Sequence, residues 1–166
     1  MHGWSTANTG SIWKPLRRIY MANIISNVFK DQLLKGNHNF QSGGDTYKLA
    51  LYTSSRTAAA TDSVFDTTNQ SSGTGYTSGG NTLVNAGVTG GSSATTAFID
   101  FNDTSFTTAT ITAKFALIYQ SSGGANTASA NAVCWLDFGG DFTTTAGTFT
   151  IQFPAAGTST AIIRLA

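Results

Sequence analysis

The stretch TITAKFALIYQ, residues 110–120, decides the fold class. Every second side chain from Ile111 onward is apolar, and several of the side chains between them are polar or small. A period of two predicts an antiparallel β-strand with one face in the core and the other toward solvent. The apolar face of this strand is expected to consist of Ile111, Ala113, Phe115, Leu117 and Tyr119.

The composition of the chain favours strands as well. Of its 166 residues, 27 are Thr and 18 are Gly, none is Glu, and only 10% are charged, against about 25% in a typical domain. Thr suits a pleated, half-buried surface, and Gly suits tight turns. The 11% aromatic content argues against a disordered, low-complexity chain.

Further strands are predicted on both sides of this stretch, with turns at residues 90–93 and a polar loop at 121–131. They cover residues 47–53, 82–88, 94–101, 132–139, 148–154 and 161–166. Within 94–101, Ala97, Ile99 and Phe101 are expected on one face and Asp100 on the other. The total is seven or eight strands.

One segment follows a helical pattern instead. Ile25, Val28, Phe29 and Leu33 recur at helical spacing, so residues 22–35 are predicted to form an amphipathic helix with these side chains on one face. Gly36 is a suitable residue to end it.

These elements predict one architecture and one alternative. Strands that do not alternate with helices exclude parallel βαβ folds. We predict a mainly β fold, an antiparallel two-sheet β-sandwich, jelly-roll-like, with one short N-terminal helix; an eight-stranded barrel is the alternative. Residues 21–166 are expected to form a single domain behind an N-terminal arm, residues 1–20.

The arm is the predicted partner-binding segment. Pro15 interrupts any helix there, and exposed tryptophan usually docks on a surface. Trp and Arg are favoured interface anchors. The candidate residues are Trp4, Ile12, Trp13, Lys14, Arg17, Arg18 and Tyr20. The alternative is an extension of the chain without a role.

Charge is distributed unevenly although the net charge is only +1. The first 35 residues are basic, whereas residues 57–113 contain four aspartates, Asp62, Asp66, Asp100 and Asp103, and no basic residue. The arm and the acidic stretch are candidates to meet, in neighbouring copies or through a partner; the alternative is that these charges only aid solubility. The low net charge gives no case for a nucleic-acid partner.

The residues needed for catalysis or metal binding are scarce. Asp137 and Asp141 could be imagined as a glycosidase pair, but turn aspartates that accept hydrogen bonds from nearby backbone N–H groups are the better interpretation. His2 and His38 are expected to be exposed, and Cys134 is expected to be a buried structural thiol. We therefore predict no enzyme, no metal, no cofactor and no small-molecule substrate. No signal peptide or membrane span is predicted.

From Met21 onward the chain resembles a family of small bacteriophage virion proteins. The resembling pieces cover about residues 24–166, and the arm departs from the pattern. They are NVFKDQLL at 27–34, YKLALYT at 47–53, SGTGYT at 72–77, Gly79-Gly80, KFALIY at 114–119, LDFG at 136–139, FTIQFPAA at 149–156 and IIRLA at 162–166.

The resemblance implies a structural protein of the virion, assembled in the host cytoplasm, and it implies no catalytic residues. The leading hypothesis is a capsid decoration, or cement, protein that binds the major capsid protein and copies of itself as a trimer or dimer. The alternative is a tail or fibre component, including a receptor- or glycan-binding module; Tyr76, Tyr119 and Trp135 are its candidate glycan aromatics, although their strand patterns favour the core.

Overall fold

The computed structural model describes residues 22–89, 95–124 and 130–166. The chain is mainly β, with antiparallel sheets and one short helix in this part. Its elements in chain order are β1 (Ala22–Ile25), α1 (Asn27–Leu34), β2 (Thr46–Tyr52), β3 (Asn81–Thr82), β4 (Asn85–Thr89), β5 (Ala97–Phe101), β6 (Thr104–Ser122), β7 (Ala132–Ile151) and β8 (Ile163–Leu165). No helix of the described residues is long and apolar enough to cross a membrane.

The strands form two antiparallel sheets. The larger has the order β1-β7-β6-β2-β3, and the smaller has the order β4-β5-β8. One buried cluster takes side chains from both sheets, including Leu49 and Leu51 of the larger sheet and Ile99 and Ile163 of the smaller one. A single apolar core is therefore shared between the two sheets.

Most of the predicted strands are confirmed, and three are revised. Strand β2 matches its prediction, whereas the predicted strand at 82–88 is two separate strands, β3 and β4. The predicted strands at 132–139 and 148–154 are parts of the single strand β7, because residues on both sides of 138–141 pair with β6. The predicted turn at 90–93 and much of the predicted loop at 121–131 lie outside the described residues.

Strands β6 and β7 form a long hairpin whose two halves are buried differently. In the inner half, β6 residues 115–120 pair with β7 residues 132–137, and every β6 side chain from 115 to 120 is buried. In the outer half, β6 residues 104–113 pair with β7 residues 142–151, and buried and exposed side chains largely alternate. The predicted half-solvated strand is thus confirmed for the outer half and wrong for the inner half.

A bulge separates the two halves. Ala113 pairs with Phe142, but Phe115 pairs with Asp137, so Lys114 alone opposes residues 138–141. An irregularity of this kind changes which face successive side chains occupy. As a result Ala113 belongs to the core shared by the two sheets, whereas Phe115 and Leu117 belong to a second cluster on the other face. The prediction that Ile111 to Tyr119 share one face is therefore wrong.

The second cluster explains why both faces of the inner half are buried. It contains Ala50, Tyr52 and Trp135, and it is covered by Phe65 and Ala58 from the connection between β2 and β3. A sheet with both faces covered needs continuous apolar strands. The run from Ala132 to Leu136 has that character, and all five of its residues are buried.

The predicted helix is shorter than expected. Residues 22–25 pair with β7 as the edge strand β1, and the helix begins at Asn27. Gly36 has a φ of 73° and follows the helix end as predicted. The single apolar face is wrong, because Phe29 packs in the shared core and Val28 packs against the second cluster.

Candidate functional site

The predicted partner-binding residues lie outside the described part of the chain. All of them precede Ala22, where strand β1 begins. Their role as anchors stays a prediction. The described residues offer two other surface features, an uncharged strand face and an acidic hollow.

The uncharged face belongs to the outer half of the β6–β7 hairpin. The sequence holds no charged residue at 104–113 or at 142–151. Between the buried positions of each strand, Thr and Ser point away from the core. We call this the threonine face; it consists of Ser105, Thr107, Thr110, Thr112, Thr143, Thr145, Thr148 and Thr150, all exposed except the half-buried Thr112.

Hydroxyl groups of the threonine face are tied across the two strands. Thr112 Oγ1 and Thr143 Oγ1 lie 2.7 Å apart, and Ser105 Oγ and Thr150 Oγ1 lie 2.9 Å apart. Thr110 Oγ1 accepts a hydrogen bond from the backbone N–H of Ala146. These cross-strand bonds, together with stiff β-branched side chains, restrict the hydroxyl groups of this polar surface.

The acidic hollow lies where β5 leaves the smaller sheet. It measures about 670 Å³ and is open to solvent; its lining residues are Asp100, Phe101, Asn102, Asp103, Phe153, Pro154, Ala155 and Ala156. Asp103 Oδ1 accepts a hydrogen bond from the backbone N–H of Phe153 at 2.9 Å. The hollow therefore combines two carboxylates with apolar walls.

Asp100 is buried at the back of this hollow, with 3% of its surface exposed. As predicted for strand β5, Ile99 and Phe101 both pack in the core. Asp100 Oδ1 accepts a hydrogen bond from the backbone N–H of Phe101. Burial raises the pKa of the Asp100 carboxyl, and the neighbouring charge of Asp103 adds to this. No cation of the described residues pairs with Asp100.

Each of the two candidate catalytic aspartates accepts a hydrogen bond from another part of the chain. Asp137 Oδ1 accepts a hydrogen bond from the backbone N–H of Gly139, as predicted. Asp141 differs from its prediction, since it accepts from the hydroxyl of Ser54, distant in sequence. Cys134 is fully buried, and burial raises the pKa of its thiol to about 12. Within the described ranges, no three His, Cys or acidic residues are grouped as metal ligands would be.

His38 is half-buried, which corrects the prediction of an exposed ring. It stacks against Phe40 and Tyr47 and shares a hydrogen bond of 3.2 Å with the Tyr47 hydroxyl. Desolvation lowers the pKa of His38 to about 4, although the charge of Asp45 acts in the opposite direction. Asp45 also accepts a hydrogen bond from the buried Gln120. This polar group joins the chain before β2 to the inner half of the hairpin.

A second, half-buried polar group holds the connection after β2 on the sheet. The Arg56 guanidinium donates two hydrogen bonds to Asp66, at 3.0 and 2.8 Å, and lies 3.4 Å from Asp62. It also sits over the rings of Tyr52 and Trp135. This group was not predicted from the sequence, because its members are separated by up to 83 positions, from Tyr52 to Trp135.

Two of the three candidate glycan-binding aromatics, Tyr119 and Trp135, are buried in the core, as their strand patterns indicated, and Tyr76 packs against it. Trp135 is fully buried. Tyr119 donates a hydrogen bond to the carbonyl of Gly79. Tyr76 accepts a hydrogen bond from the backbone N–H of Leu51, and burial raises its pKa to about 12. The buried rings of Trp135 and Tyr119 are not available to stack on a sugar, whereas Tyr76 is partly buried against the core.

Comparisons with protein-family models, with curated proteins and with solved structures found no match to this chain.

Proposed function

We propose that this chain is a structural protein of a bacteriophage particle that decorates the head shell as a cement protein. In this role it binds the major capsid protein and copies of itself, as a trimer or dimer, and stabilises the shell without catalysis. The resemblance of about residues 24–166 to small virion proteins supports the assignment to a phage particle. The threonine face supports the decorating role, and it is the observation that carries the proposal.

The threonine face suits a broad protein partner for physical reasons. Its side chains have few rotamers to lose on binding, and each hydroxyl can both donate and accept a hydrogen bond. Charged residues are depleted at the centres of interfaces, and none lies at residues 104–113 or 142–151. A repeating shell presents many equal sites, so weak contacts gain strength by multivalency.

The two sheets also have a proposed arrangement. We infer a two-sheet, jelly-roll-like sandwich in which the smaller sheet faces the larger one. The shared cluster supports it, because Leu49 and Leu51 from one sheet and Ile99 and Ile163 from the other are all buried in it. Such a rigid body would hold the threonine face in a fixed orientation.

Binding to head shells that lack the protein tests the decorating role. Thr145→Lys with Thr148→Lys places two charges on the threonine face and should abolish co-sedimentation with the shells. Thr61→Lys with Ser159→Lys adds the same charge at exposed positions elsewhere and should leave binding unchanged. Equal binding by both variants would contradict the role of this face.

Particles made without the protein test the cement role itself. They should lose their DNA at lower temperature and in lower salt than complete particles. If both kinds of particle resist equally, the protein does not cement the shell. Immunogold labelling confined to the tail would replace the head assignment by a tail or fibre component.

A further inference from the structure

The acidic stretch of the sequence resolves into two parts with different partners. Asp62 and Asp66 are paired with Arg56. Asp100 and Asp103 share the acidic hollow, and neither is paired with a cation of the described residues. Burying an unpaired carboxylate costs free energy, so Asp100 gains most from a cation that enters the hollow.

The described part of the chain begins close to this hollow, at strand β1. The side-chain amide of Asn23 donates a hydrogen bond to the carbonyl of Ile162 at 3.2 Å. Ile163 pairs with Ile99 in the antiparallel β5–β8 ladder, which places Ile162 opposite Asp100. Strand β1 therefore contacts the segment that lies directly opposite the buried Asp100.

The arm supplies the charge that the hollow lacks. Arg17 and Arg18 precede Asn23 by six and five residues, and an extended chain of that length spans about 20 Å. The aromatic side chains of the arm match the apolar part of the lining, formed by Phe153 and Pro154. The hollow is open to solvent, so a chain segment can enter it from outside.

From these observations we propose that the acidic hollow is the docking site for the arm of the same molecule, with Arg17 and Arg18 beside Asp100 and Asp103. The tether keeps the effective concentration of the arm high at this site. The inference does not depend on the proposed attachment to a phage particle, since it concerns contacts within one chain.

Disulfide trapping in the full-length chain tests the proposal. Leu16→Cys keeps both arginines and is combined with Ala155→Cys in the lining of the hollow. The control combines Leu16→Cys with Gly140→Cys, three residues from Asp137, which pairs with Ala22. Gly140 has open space around it, and the six residues from Leu16 to Ala22 span about 20 Å when extended. Cys134 is fully buried and does not compete in the folded protein.

The expected result is an intramolecular disulfide that forms about tenfold faster at Ala155 than at Gly140, equivalent to about 1.4 kcal/mol. Asp100→Asn with Asp103→Asn keeps the side-chain shapes and should remove the preference, as should ~1 M salt. Equal rates at the two positions, or a preference that survives the Asn changes, would overturn the proposal. A disulfide between two molecules would also overturn it and would assign the hollow to a neighbouring copy.

Discussion

The two halves of the β6–β7 hairpin share strands but not surroundings. The inner half is covered on both faces, by the shared core and by the second cluster. The outer half is covered on one face, and its other face exposes hydroxyl groups. The sequence changes at the same place, from the alternation of residues 104–113 to the continuous apolar runs at 115–119 and 132–136.

This difference separates stability from recognition. Free energy from burial is concentrated where both faces of the strands exclude water. A strand pair that is held from one side only keeps its other face free for a partner, at little cost to the fold. The inner half thus stabilises the hairpin, and the outer half exposes the threonine face to a partner. Four measurements can test this division.

Truncating the largest side chain of the inner half should have the largest effect. Trp135 is fully buried, and Trp135→Ala should lower the free energy of unfolding by about 3–5 kcal/mol. Phe142 in the outer half is only partly buried, so Phe142→Ala should cost about half as much. Urea denaturation measures both, and equal losses would contradict the division of the hairpin.

Lowering the pH should destabilise the fold through His38, which belongs to the polar group at the inner half. Its pKa falls from 6.5 in the unfolded chain to about 4 in the fold, so the unfolded state binds the proton more readily between these values. The stability that neutral His38 provides is complete above pH 6.5 and is lost as the pH falls toward 4. Because the ring is partly exposed, the loss should be about 1–2 kcal/mol.

Unfolding curves between pH 7 and pH 4.5 measure this effect. His38→Gln removes the titrating ring, and its stability should depend less on pH than that of the unchanged protein. The difference between the two slopes isolates His38 from the carboxyl groups that titrate in both. Identical slopes would show that the ring is not desolvated in solution.

The bulge between the halves depends on one backbone conformation. Gly139 has a φ of 78°, with open space around its Cα, whereas Gly140 has the same open space without a positive φ. Gly139→Ala should therefore cost about 1 kcal/mol, and Gly140→Ala should change stability by less than ~0.5 kcal/mol. Thermal unfolding compares the two, and equal effects would argue against a conformational role for the bulge.

The hydroxyl pairs of the outer half should contribute least to the free energy of unfolding. Thr112→Val and Thr143→Val remove the two partners of one bond, and a double-mutant cycle between them should give a coupling of about 0.5 kcal/mol or less. Ser105 and Thr150 form a matched pair for comparison. A coupling above ~1 kcal/mol would make the threonine face part of the stability of the fold.

The fold was predictable from the sequence where local patterns decide it. Strand β2, the alternation in the outer half and the helix end at Gly36 follow from periodicity and turn chemistry. The change of face after Ala113 was not predictable, because it depends on four β7 residues opposing Lys114 across the hairpin. Residues 22–25 were placed in the helix because their pairing with β7 is a long-range contact.

The candidate surfaces were predictable only in part. The acidic stretch was visible in the sequence, but its division between Arg56 and the hollow depends on tertiary contacts. The threonines were counted as a sign of strands, and the bare composition does not tell which of them share a face. A run of uncharged residues at both 104–113 and 142–151 was the signal that could have found the threonine face.

The order of strands in the larger sheet has a consequence for the addition of a further strand. The two long strands, β6 and β7, lie inside it, and its end strands are the four-residue β1 and the two-residue β3. Because β1 pairs only with β7 residues 134–137, the outer half of β7 is paired with β6 alone among the described strands. An unpaired edge is a template for another chain, so the outer half of β7 is the place where a further strand can add to the larger sheet.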